Sequence, residues 1–444
     1  MLRIISRVFA WIAAVMFVIG LATLTTVDRS PIQEQEGYRN TLERLASSTW
    51  EPTTSSFWLA GWSAVNVTPP QPVPLVGYSP RGNYEFVQDS SFVKALSLSN
   101  GQSSMAWLNY ELLIVHPQLA QKVRAGIQNA GIQLDQVIFT ATHTHSGMGG
   151  YTPGPLGALA FGGYEEEVVQ QLVDGSVRAL KAALASQDTV SLTFKKTAAP
   201  AFVANRFIKD GAIDPYVRQL ILTKKGGKKA VFLTYSAHAT ALSSKFMGLS
   251  GDYPSYLTEH IEQRGYDFAL YAAGTVGSHK PLTEGNRPEN VQDYATKLDA
   301  TLAADSTTFA TSETALLRHG RLDIDLGAPQ LRISKELRLR PWLFHYLLGE
   351  VPAYLDITQV GSVLFVSSSG ELSGVFYEAW DKLAKEKGLQ LVVTVFNGSY
   401  IGYITPDTLY DASYHEVREM NWFGPGNGHY FDRLIQGVIQ KVDK

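Results

Sequence analysis

The chain contains no cysteine among its 444 residues. Structural disulfides, thiolate metal ligands and a cysteine nucleophile are therefore excluded, and any metal ion must be bound by His, Asp, Glu or Tyr. Charged residues are also few, at 18%, and the net charge of −3 gives no electrostatic basis for binding nucleic acid. Hydrophobic residues make up 45% of the chain, which is typical of a globular protein rather than a disordered one.

An uncharged apolar run occupies the N-terminus. Arg3 and Arg7 precede this run, which extends over about residues 8–24. It approaches the ~20 residues that cross a bilayer and exceeds the roughly 7–15 residues of a signal-peptide core. We expect residues 1–27 to be an uncleaved membrane anchor with its basic end in the cytoplasm; a cleaved signal peptide is the alternative. Both place the rest of the chain outside the cytoplasm, on the periplasmic or cell-surface side.

The rest of the chain divides into a polar segment and a large globular part. Residues 28–57 are polar, with one short amphipathic stretch, and predict a stalk or linker. Residues 58–444 follow as the globular domain. Strand and helix signals alternate there, which favours the α/β class. The clearest segments are strands at 93–98, 104–113, 136–140, 230–235, 268–272, 360–367 and 389–396 and helices at 119–130, 165–184, 253–264, 290–304 and 372–387.

A pair of histidines follows one of these strands. His143 and His145 stand two residues apart in the segment 141–147, and glycines come directly after them. In extended backbone, side chains at i and i+2 point to the same side, so the two imidazoles leave the strand end together. Imidazole is the commonest ligand of catalytic zinc. The pair predicts either one half of a metal centre or two hydrogen-bonded histidines on a polar turn.

Two further candidates for chemistry also lie just past apolar strands. His238 follows the strand 230–235, and Glu371 follows the run 362–366. Taken alone, His238 is typical of a hydrogen-bonded core histidine, and Glu371 of the charge that begins a helix. In an α/β sheet, however, ligand sites form beyond the carboxyl ends of the strands. Together with the histidine pair, these residues would supply ligands for one zinc ion with an open coordination position.

Six segments in a fixed order carry a family resemblance. They are the histidine segment 141–151, the segments Ala237–Thr240 and Ser250–Asp252, Gly370–Leu372, Asn397–Thr405, and Trp422–Gly424. In order and spacing the set resembles the neutral (alkaline, non-lysosomal) ceramidase family over about residues 58–444. The resemblance implies mixed β-sheets flanked by helices. It also implies a zinc-dependent amidohydrolase that cleaves the N-acyl bond of ceramide, or of a ceramide-like lipid, to a fatty acid and an amine.

The resemblance also implies roles for individual residues. By matched position the zinc ligands would be His143, His238, Glu371 and Tyr403. His145 would assist proton transfer beside the metal. Tyr414 matches a second tyrosine near the site, and Arg206 matches an arginine of the family, so both are expected in the catalytic centre.

The chain departs from the family pattern in the segment 275–281. Aligned on Pro281, Ser278 stands where the family has an aspartate, and Lys280 stands where it has a serine proposed to act in catalysis. We therefore expect Lys280 to lie in the site, where it or His279 would bind an anionic group of a substrate other than plain ceramide. A second departure is the alanine-rich surroundings of His238. A third is that the family's C-terminal immunoglobulin-like domain has no counterpart, which predicts the catalytic domain alone.

The sequence as a whole predicts a membrane-anchored, extracytoplasmic zinc hydrolase that acts on a lipid. The apolar stretch 341–348 is a candidate lip for the acyl chain, although core packing explains it equally well. One alternative is a hydrolase of the same fold acting on an N-acyl amino lipid, an ester or a cell-wall amide. Another is a non-catalytic lipid-binding protein, for which Lys280 is the favourable feature. A metallo-β-lactamase is disfavoured because its H-x-H-x-D-H pattern is absent: His145 is followed by Ser146, Gly147 and Met148.

Overall fold

Strands and helices alternate along the part of the chain that the computed structural model describes, which comprises residues 2–78, 80–305, 307–311 and 314–442. The α-helices there are α1 (Leu2–Thr23), α2 (Glu36–Ser47), α3 (Pro117–Asn129), α4 (Gly154–Ala160), α5 (Glu166–Ala185), α6 (Asp252–Gln263), α7 (Pro288–Ala304), α8 (Pro341–Leu348), α9 (Tyr377–Glu386), α10 (His415–Arg418) and α11 (Asn427–Lys441). The strands are β1 (Leu24–Thr26), β2 (Thr53–Ser55), β3 (Trp58–Asn66), β4 (Phe86–Val87), β5 (Phe92–Ser99), β6 (Ser104–Tyr110), β7 (Gln136–Ala141), β8 (Asp188–Ala198), β9 (Val203–Asn205), β10 (Tyr216–Lys224), β11 (Lys229–Tyr235), β12 (Gly248–Leu249), β13 (Phe268–Ala273), β14 (His279–Pro281), β15 (Thr308–Ala310), β16 (Ala315–Ile324), β17 (Leu337–Leu339), β18 (Ala353–Val360), β19 (Val363–Ser368), β20 (Glu371–Leu372), β21 (Gln390–Val395) and β22 (Tyr403–Ile404).

The larger of two main sheets has nine strands. Eight of them lie in the order β13-β11-β10-β8-β3-β5-β6-β7, and β15 also pairs with β8. The pairs β11–β13 and β6–β7 are parallel, and the others are antiparallel. Each parallel pair is joined by a crossover helix, α6 between β11 and β13 and α3 between β6 and β7, as parallel pairing requires.

The smaller main sheet has five strands in the order β2-β16-β18-β19-β21, with β19 and β21 parallel. It packs face to face on the larger sheet. Phe365 of β19 meets Trp107 of β6 at a ring distance of 5.1 Å and Phe232 of β11 at 5.4 Å. Helices α3, α5, α6 and α7 cover the outer face of the large sheet, and α2, α9 and α11 cover the small one. The predicted α/β class, with mixed sheets flanked by helices, is confirmed.

The large sheet curls until its two edges approach one another. Asn109 of β6 donates hydrogen bonds both to Thr140 of β7, at 3.0 Å, and to the carbonyl of Tyr271 in β13, at 2.8 Å. Lys94 of β5 likewise donates to the carbonyl of Ala269 in β13, at 3.0 Å. This closure brings the carboxyl end of β7 close to that of β11, although five strands separate β7 from β11 in the sheet order.

Residues 28–57, expected to form a stalk, pack on the globular part instead. Tyr38 and Leu45 on one face of α2 are buried against the core, and Tyr38 lies 5.0 Å, ring to ring, from Tyr430 of α11. Strand β2 is the edge strand of the five-stranded sheet. The polarity of the segment suggested an extended linker, but one amphipathic face suffices to dock a short helix.

Candidate metal centre

Three histidine side chains meet where the ends of β7 and β11 converge. The Nε2 atom of His238 lies 2.9 Å from the Nε2 atoms of both His143 and His145, and the last two atoms are 3.4 Å apart. Nitrogen ligands about 2.0–2.1 Å from a tetrahedral zinc ion lie about 3.3 Å from one another. The spacing of the three nitrogens is therefore close to that of a metal's ligand set.

The backbone fixes the direction in which His143 points. This residue has a positive φ of 63°, which is unusual for a non-glycine residue and typical of functional sites. Its amide donates to the carbonyl of Leu112 at 3.0 Å, and its Nδ1 lies 2.7 Å from the carbonyl of Leu113. An Nδ1–H that donates to this carbonyl leaves the Nε2 lone pair free and facing the cluster.

Glu371 adds a buried carboxylate to the three imidazoles. Its Oε1 lies 3.6 Å from Nε2 of His143 and 3.7 Å from Nδ1 of His238, and the side chain is fully buried. Tyr400 donates to the other oxygen, Oε2, at 3.0 Å. Among the described residues, Oε1 has no hydrogen-bond partner. A buried carboxylate oxygen without a donor is costly, and a cation at the centre of the cluster would remove that cost.

Tyr403 lies beside Glu371 because their short strands pair. In the parallel ladder of β20 and β22, Glu371 is directly opposite Tyr403. The Tyr403 hydroxyl interacts with both Glu371 and Arg206. Burial raises the pKa of Tyr403 well above its usual value, and the neighbouring carboxylate raises it further. The expected ligands His143, His238, Glu371 and Tyr403 are thus brought to one place.

The charges around the cluster favour uncharged imidazoles. Burial lowers the pKa of His145 and His238 well below the usual histidine value, and the nearby Arg206 guanidinium lowers both further. Burial also lowers the pKa of Arg206, but Tyr403, Glu416 and Glu371 outweigh it and raise that pKa overall. Uncharged imidazole is the form that binds a metal ion, so the donor set fits zinc without any thiolate.

Arg206 lies at the side of this cluster, as expected, but two other expected site residues do not. Arg206 forms an ion pair with Glu416 at 2.6 Å, next to Tyr403. Lys280 is exposed on β14, while its neighbour His279 points inward. Because side chains alternate along a strand, Lys280 faces solvent when His279 faces inward, and the prediction that Lys280 lies in the site is wrong. The Tyr414 hydroxyl donates to the carbonyl of Phe207 at 2.6 Å, and the residue is 38% exposed, so it is not part of the cluster.

Ser278 of the departing segment also faces inward, next to His279. It is fully buried, its Oγ accepts a hydrogen bond from the amide of Gly374 at 3.1 Å, and it lies 2.9 Å from Nδ1 of His279. Two residues earlier, the carbonyl of Val276 lies 3.4 Å from Nδ1 of His238. The segment therefore passes directly behind a candidate ligand, with Ser278 rather than Lys280 turned toward the interior.

Four residues around the cluster were not expected from the sequence. Besides Tyr400, Phe396 stacks on His143 at a ring distance of 4.2 Å, again with a positive φ of 65°. Tyr78 packs on His145 at 5.1 Å, and Arg81 donates to the His145 carbonyl at 2.6 Å. Tyr400 could have been found from its place three residues before Tyr403; nothing in the sequence marks Tyr78, Arg81 or Phe396.

Comparison with known proteins assigns the chain to a family. A sequence profile of the neutral/alkaline non-lysosomal ceramidases, covering the N-terminal part of that family, matches residues 58–310, which is more than half of the chain. The chain belongs to this ceramidase family. The matched region contains the three histidines of the cluster, and Glu371 and Tyr403 lie beyond it.

Individual relatives agree with this family. The neutral ceramidase of Pseudomonas aeruginosa is 28% identical over 174 residues, which cover 35% of this chain and 26% of that protein. The alignment thus spans about a quarter of the relative's length. The crystal structure of the P. aeruginosa neutral ceramidase superposes with a TM-score of 0.73 and 17% identity, covering 88% of this chain and 76% of that one. A ceramidase complexed with C2 gives a TM-score of 0.70, 16% identity and the same coverage.

Proposed function

We propose that this ceramidase-family protein is a zinc-dependent amidohydrolase that cleaves the N-acyl bond of ceramide or a ceramide-like lipid. The proposal is supported by family membership together with one observation. Three imidazole Nε2 atoms converge on one another, and beside them lies the buried Oε1 of Glu371, which has no donor among the described residues. A non-catalytic lipid-binding protein has no need of such a charged, costly arrangement.

The residues that would hold the metal are His143, His238, Glu371 and Tyr403, and the third histidine is left for proton transfer. A zinc ion held there would supply a Lewis acid for the amide carbonyl and would lower the pKa of a water molecule. His145, with its Nε2 turned into the cluster, would take a proton at that atom and return it to the leaving amine. A water molecule is consumed: the C–N bond breaks, the acyl carbon gains the hydroxyl group and the amine gains a proton.

Neighbouring groups would hold this arrangement in place. Arg206, in contact with Tyr403, would keep the phenol oriented and its charge would favour the oxyanion that develops on the substrate carbonyl. Tyr400 would fix the rotamer of Glu371 through its 3.0 Å hydrogen bond. Phe396 would hold the imidazole ring of His143 by stacking, and Tyr78 would hold that of His145 through a tilted ring contact.

The proposed domain organisation is an N-terminal anchor over residues 1–27 and a catalytic domain over residues 58–444 on the extracytoplasmic side of the membrane. One helix in the described chain, spanning Ile4–Thr23, is long and apolar enough to cross a bilayer, and a signal sequence passes the same test. The segment 28–57 belongs with the catalytic domain because it is packed on it.

The direct test is release of fatty acid from a short-chain ceramide by the full chain in detergent. Chelator-sensitive release that zinc restores is the expected result. Absence of release from protein shown to contain zinc would move the assignment to another acylated substrate. Absence of both zinc and release would leave only a lipid-binding role.

Substitutions make this test specific to the cluster. His143→Gln keeps a hydrogen-bonding side chain of similar size but removes a candidate ligand, and we expect it to abolish release. His429→Gln is the matched control, because His429 is exposed and lies against Tyr38, away from the cluster. Equal losses in both variants would contradict the site assignment.

A further inference from the structure

The apolar helix α1 is joined rigidly to the globular part. The chain enters β1 directly after α1, and β1 pairs antiparallel with β17. The last carbonyls of a helix normally lack partners. Here Arg340 donates to the carbonyls of Leu21, at 3.0 Å, and Thr23, at 2.8 Å, and the indole of Trp342 donates to that of Ala22 at 3.1 Å. These hydrogen bonds and the β1–β17 pairing fix the end of α1 to the globular part.

Exposed apolar side chains surround the point where α1 leaves the globular part. We call them the collar: Ile333 (52% exposed), Leu337 (39%), Trp342 (55%) and Tyr346 (68%). Clustered apolar side chains of this kind mark an interaction surface. Trp and Tyr are the residues preferred at the boundary between lipid and water. The side chains of α1 itself are exposed from Ile4 to Ile19, so the collar lies at the base of a helix of bilayer length.

Helix α8 carries Trp342 and Tyr346 of the collar, and its buried side leads to the candidate metal centre. Phe344 is fully buried and its ring lies 5.8 Å from the ring of Trp422. Trp422 lies 5.3 Å from Tyr400, and Tyr400 bonds to Glu371. The rings of Phe344, Trp422 and Tyr400 therefore connect α8 to the carboxylate of the cluster.

We propose that the collar is a membrane-facing surface that seats the catalytic domain on the bilayer that holds α1, so that an acylated lipid reaches the site from that bilayer. The occupant is a lipid surface rather than a partner protein, because α1 fixes the collar at the level where the helix meets the lipid headgroups. The exposed Lys335 and Arg340 beside the collar suit contact with lipid phosphates. The role in substrate access rests on the proposed function; the membrane contact does not.

The absence of cysteine allows a direct measurement of depth. Ile333→Cys and Tyr346→Cys, each carrying an environment-sensitive fluorophore, are compared in the full chain reconstituted into phosphatidylcholine vesicles. The control is Lys228→Cys in the β10–β11 hairpin, at the opposite end of β11 from His238. We expect blue-shifted emission that lipid-borne quenchers reduce at positions 333 and 346 and water-like emission at 228. Water-like emission at both collar positions would overturn the membrane contact.

A kinetic measurement tests access to the site separately. The double variant Ile333→Ser/Tyr346→Ser leaves the contact between Trp342 and Ala22 intact. We expect a loss of several-fold in its rate on ceramide embedded in vesicles and an unchanged rate on short-chain ceramide in micelles. Unchanged rates on both substrates would overturn the role in access. If the unaltered chain hydrolyses neither, the proposed function fails while the fluorescence result still decides the membrane contact.

Discussion

Two buried polar clusters with histidine, both within the described part of the chain, differ in whether their polar atoms have partners. In the first, Asp214 binds Arg218 through both carboxylate oxygens, at 2.8 and 2.9 Å, and Ser236 donates to it at 2.7 Å. His279 accepts from the Asp214 amide at 2.9 Å and meets Ser278 at its other nitrogen. In the second, the Nε2 atoms of His143, His145 and His238 face one another, and Oε1 of Glu371 has no donor among the described residues.

The difference separates a structural role from a functional one. In the first cluster both carboxylate oxygens of Asp214 and both nitrogens of His279 have partners, and the atom that lacks one among the described residues is a donor, Nε of Arg218. Three converging nitrogens and a carboxylate oxygen without a donor would be stabilised by a cation shared among them. The first cluster thus fits a structural role, and the second could hold a metal ion. Burial alone does not distinguish them, because the members of both clusters are buried except for the part-buried His145.

The largest expected effect is at Glu371. Glu371→Gln keeps the side-chain shape and an oxygen that Tyr400 can reach but removes the negative charge. We expect loss of bound zinc after dialysis, measured by elemental analysis, and loss of amide hydrolysis, with the circular dichroism spectrum unchanged. Full zinc content together with full activity would contradict the ligand role.

The corresponding change in the other cluster should affect stability instead. Asp214→Asn leaves the buried Arg218 without a charged partner, and breaking such a pair costs about 3–5 kcal/mol. We expect the free energy of unfolding in urea to fall by about that amount while the zinc content of the folded protein stays the same. A variant of unaltered stability, or one that loses zinc while folded, would remove the distinction between the two clusters.

A smaller effect is expected for the group that supports Glu371. Tyr400→Phe removes the hydroxyl bonded to Oε2 but keeps the ring that packs on Phe396 and Trp422. Loss of such an outer partner weakens metal affinity by about 10–100-fold. Competition with a chelator of known affinity measures this change. Tyr410→Phe, whose hydroxyl binds the carbonyl of Gly424, is the control and should leave zinc affinity unchanged.

The last prediction concerns a third buried carboxyl, that of Glu111, whose cationic neighbour Lys94 lies beyond hydrogen-bond distance. Burial raises the pKa of Glu111 from its ordinary 4.5 to about 7, and Lys94, whose Nζ lies 3.8 Å away, opposes this shift. Between about pH 4.5 and 7 the folded protein therefore keeps a proton that the unfolded chain has released. This contribution to stability is complete below pH 4.5 and is lost as the pH rises through 7.

Glu111→Gln isolates that contribution. Because the amide does not ionise, we expect the difference in unfolding free energy between the variant and the unaltered chain to shift in favour of the variant as the pH rises from 4.5 to 7. Urea titrations across this range measure it. A difference that stays constant with pH would show that Glu111 keeps an ordinary pKa.

Much of the fold could be predicted from the sequence because its signals are local. The apolar runs at 136–140, 230–235 and 268–272 lie within strands, and the segments 119–130 and 253–264 largely coincide with α3 and α6. The docking of residues 28–57 could not be predicted, because it depends on a surface formed by β16 and α11, far away in the chain. The long apolar run at 360–367 also hid a turn, since β18 ends at Val360 and β19 begins at Val363.

The candidate site shows the same division. Strand-end position marked His143, His238 and Glu371 as candidates, because ligand sites form beyond the carboxyl ends of strands. Their meeting depends on the closure of the large sheet, because β7 and β11 are not neighbours in it and Glu371 follows a strand of the other sheet. For Lys280, the match to Pro281 gave no information on which face of β14 each residue occupies. Tyr78 and Phe396 touch the histidines only through tertiary packing. Side-chain direction and loop packing therefore could not be predicted from the sequence.

Calorimetric titration of the metal-free full chain with zinc tests the central claim most directly, with one histidine changed in each cluster. We predict one equivalent of zinc for the unaltered chain and for His279→Gln, and none for His238→Gln. Binding to His238→Gln as tight as to the unaltered chain, or no binding to the unaltered chain, would contradict a metal centre at the meeting point of β7 and β11.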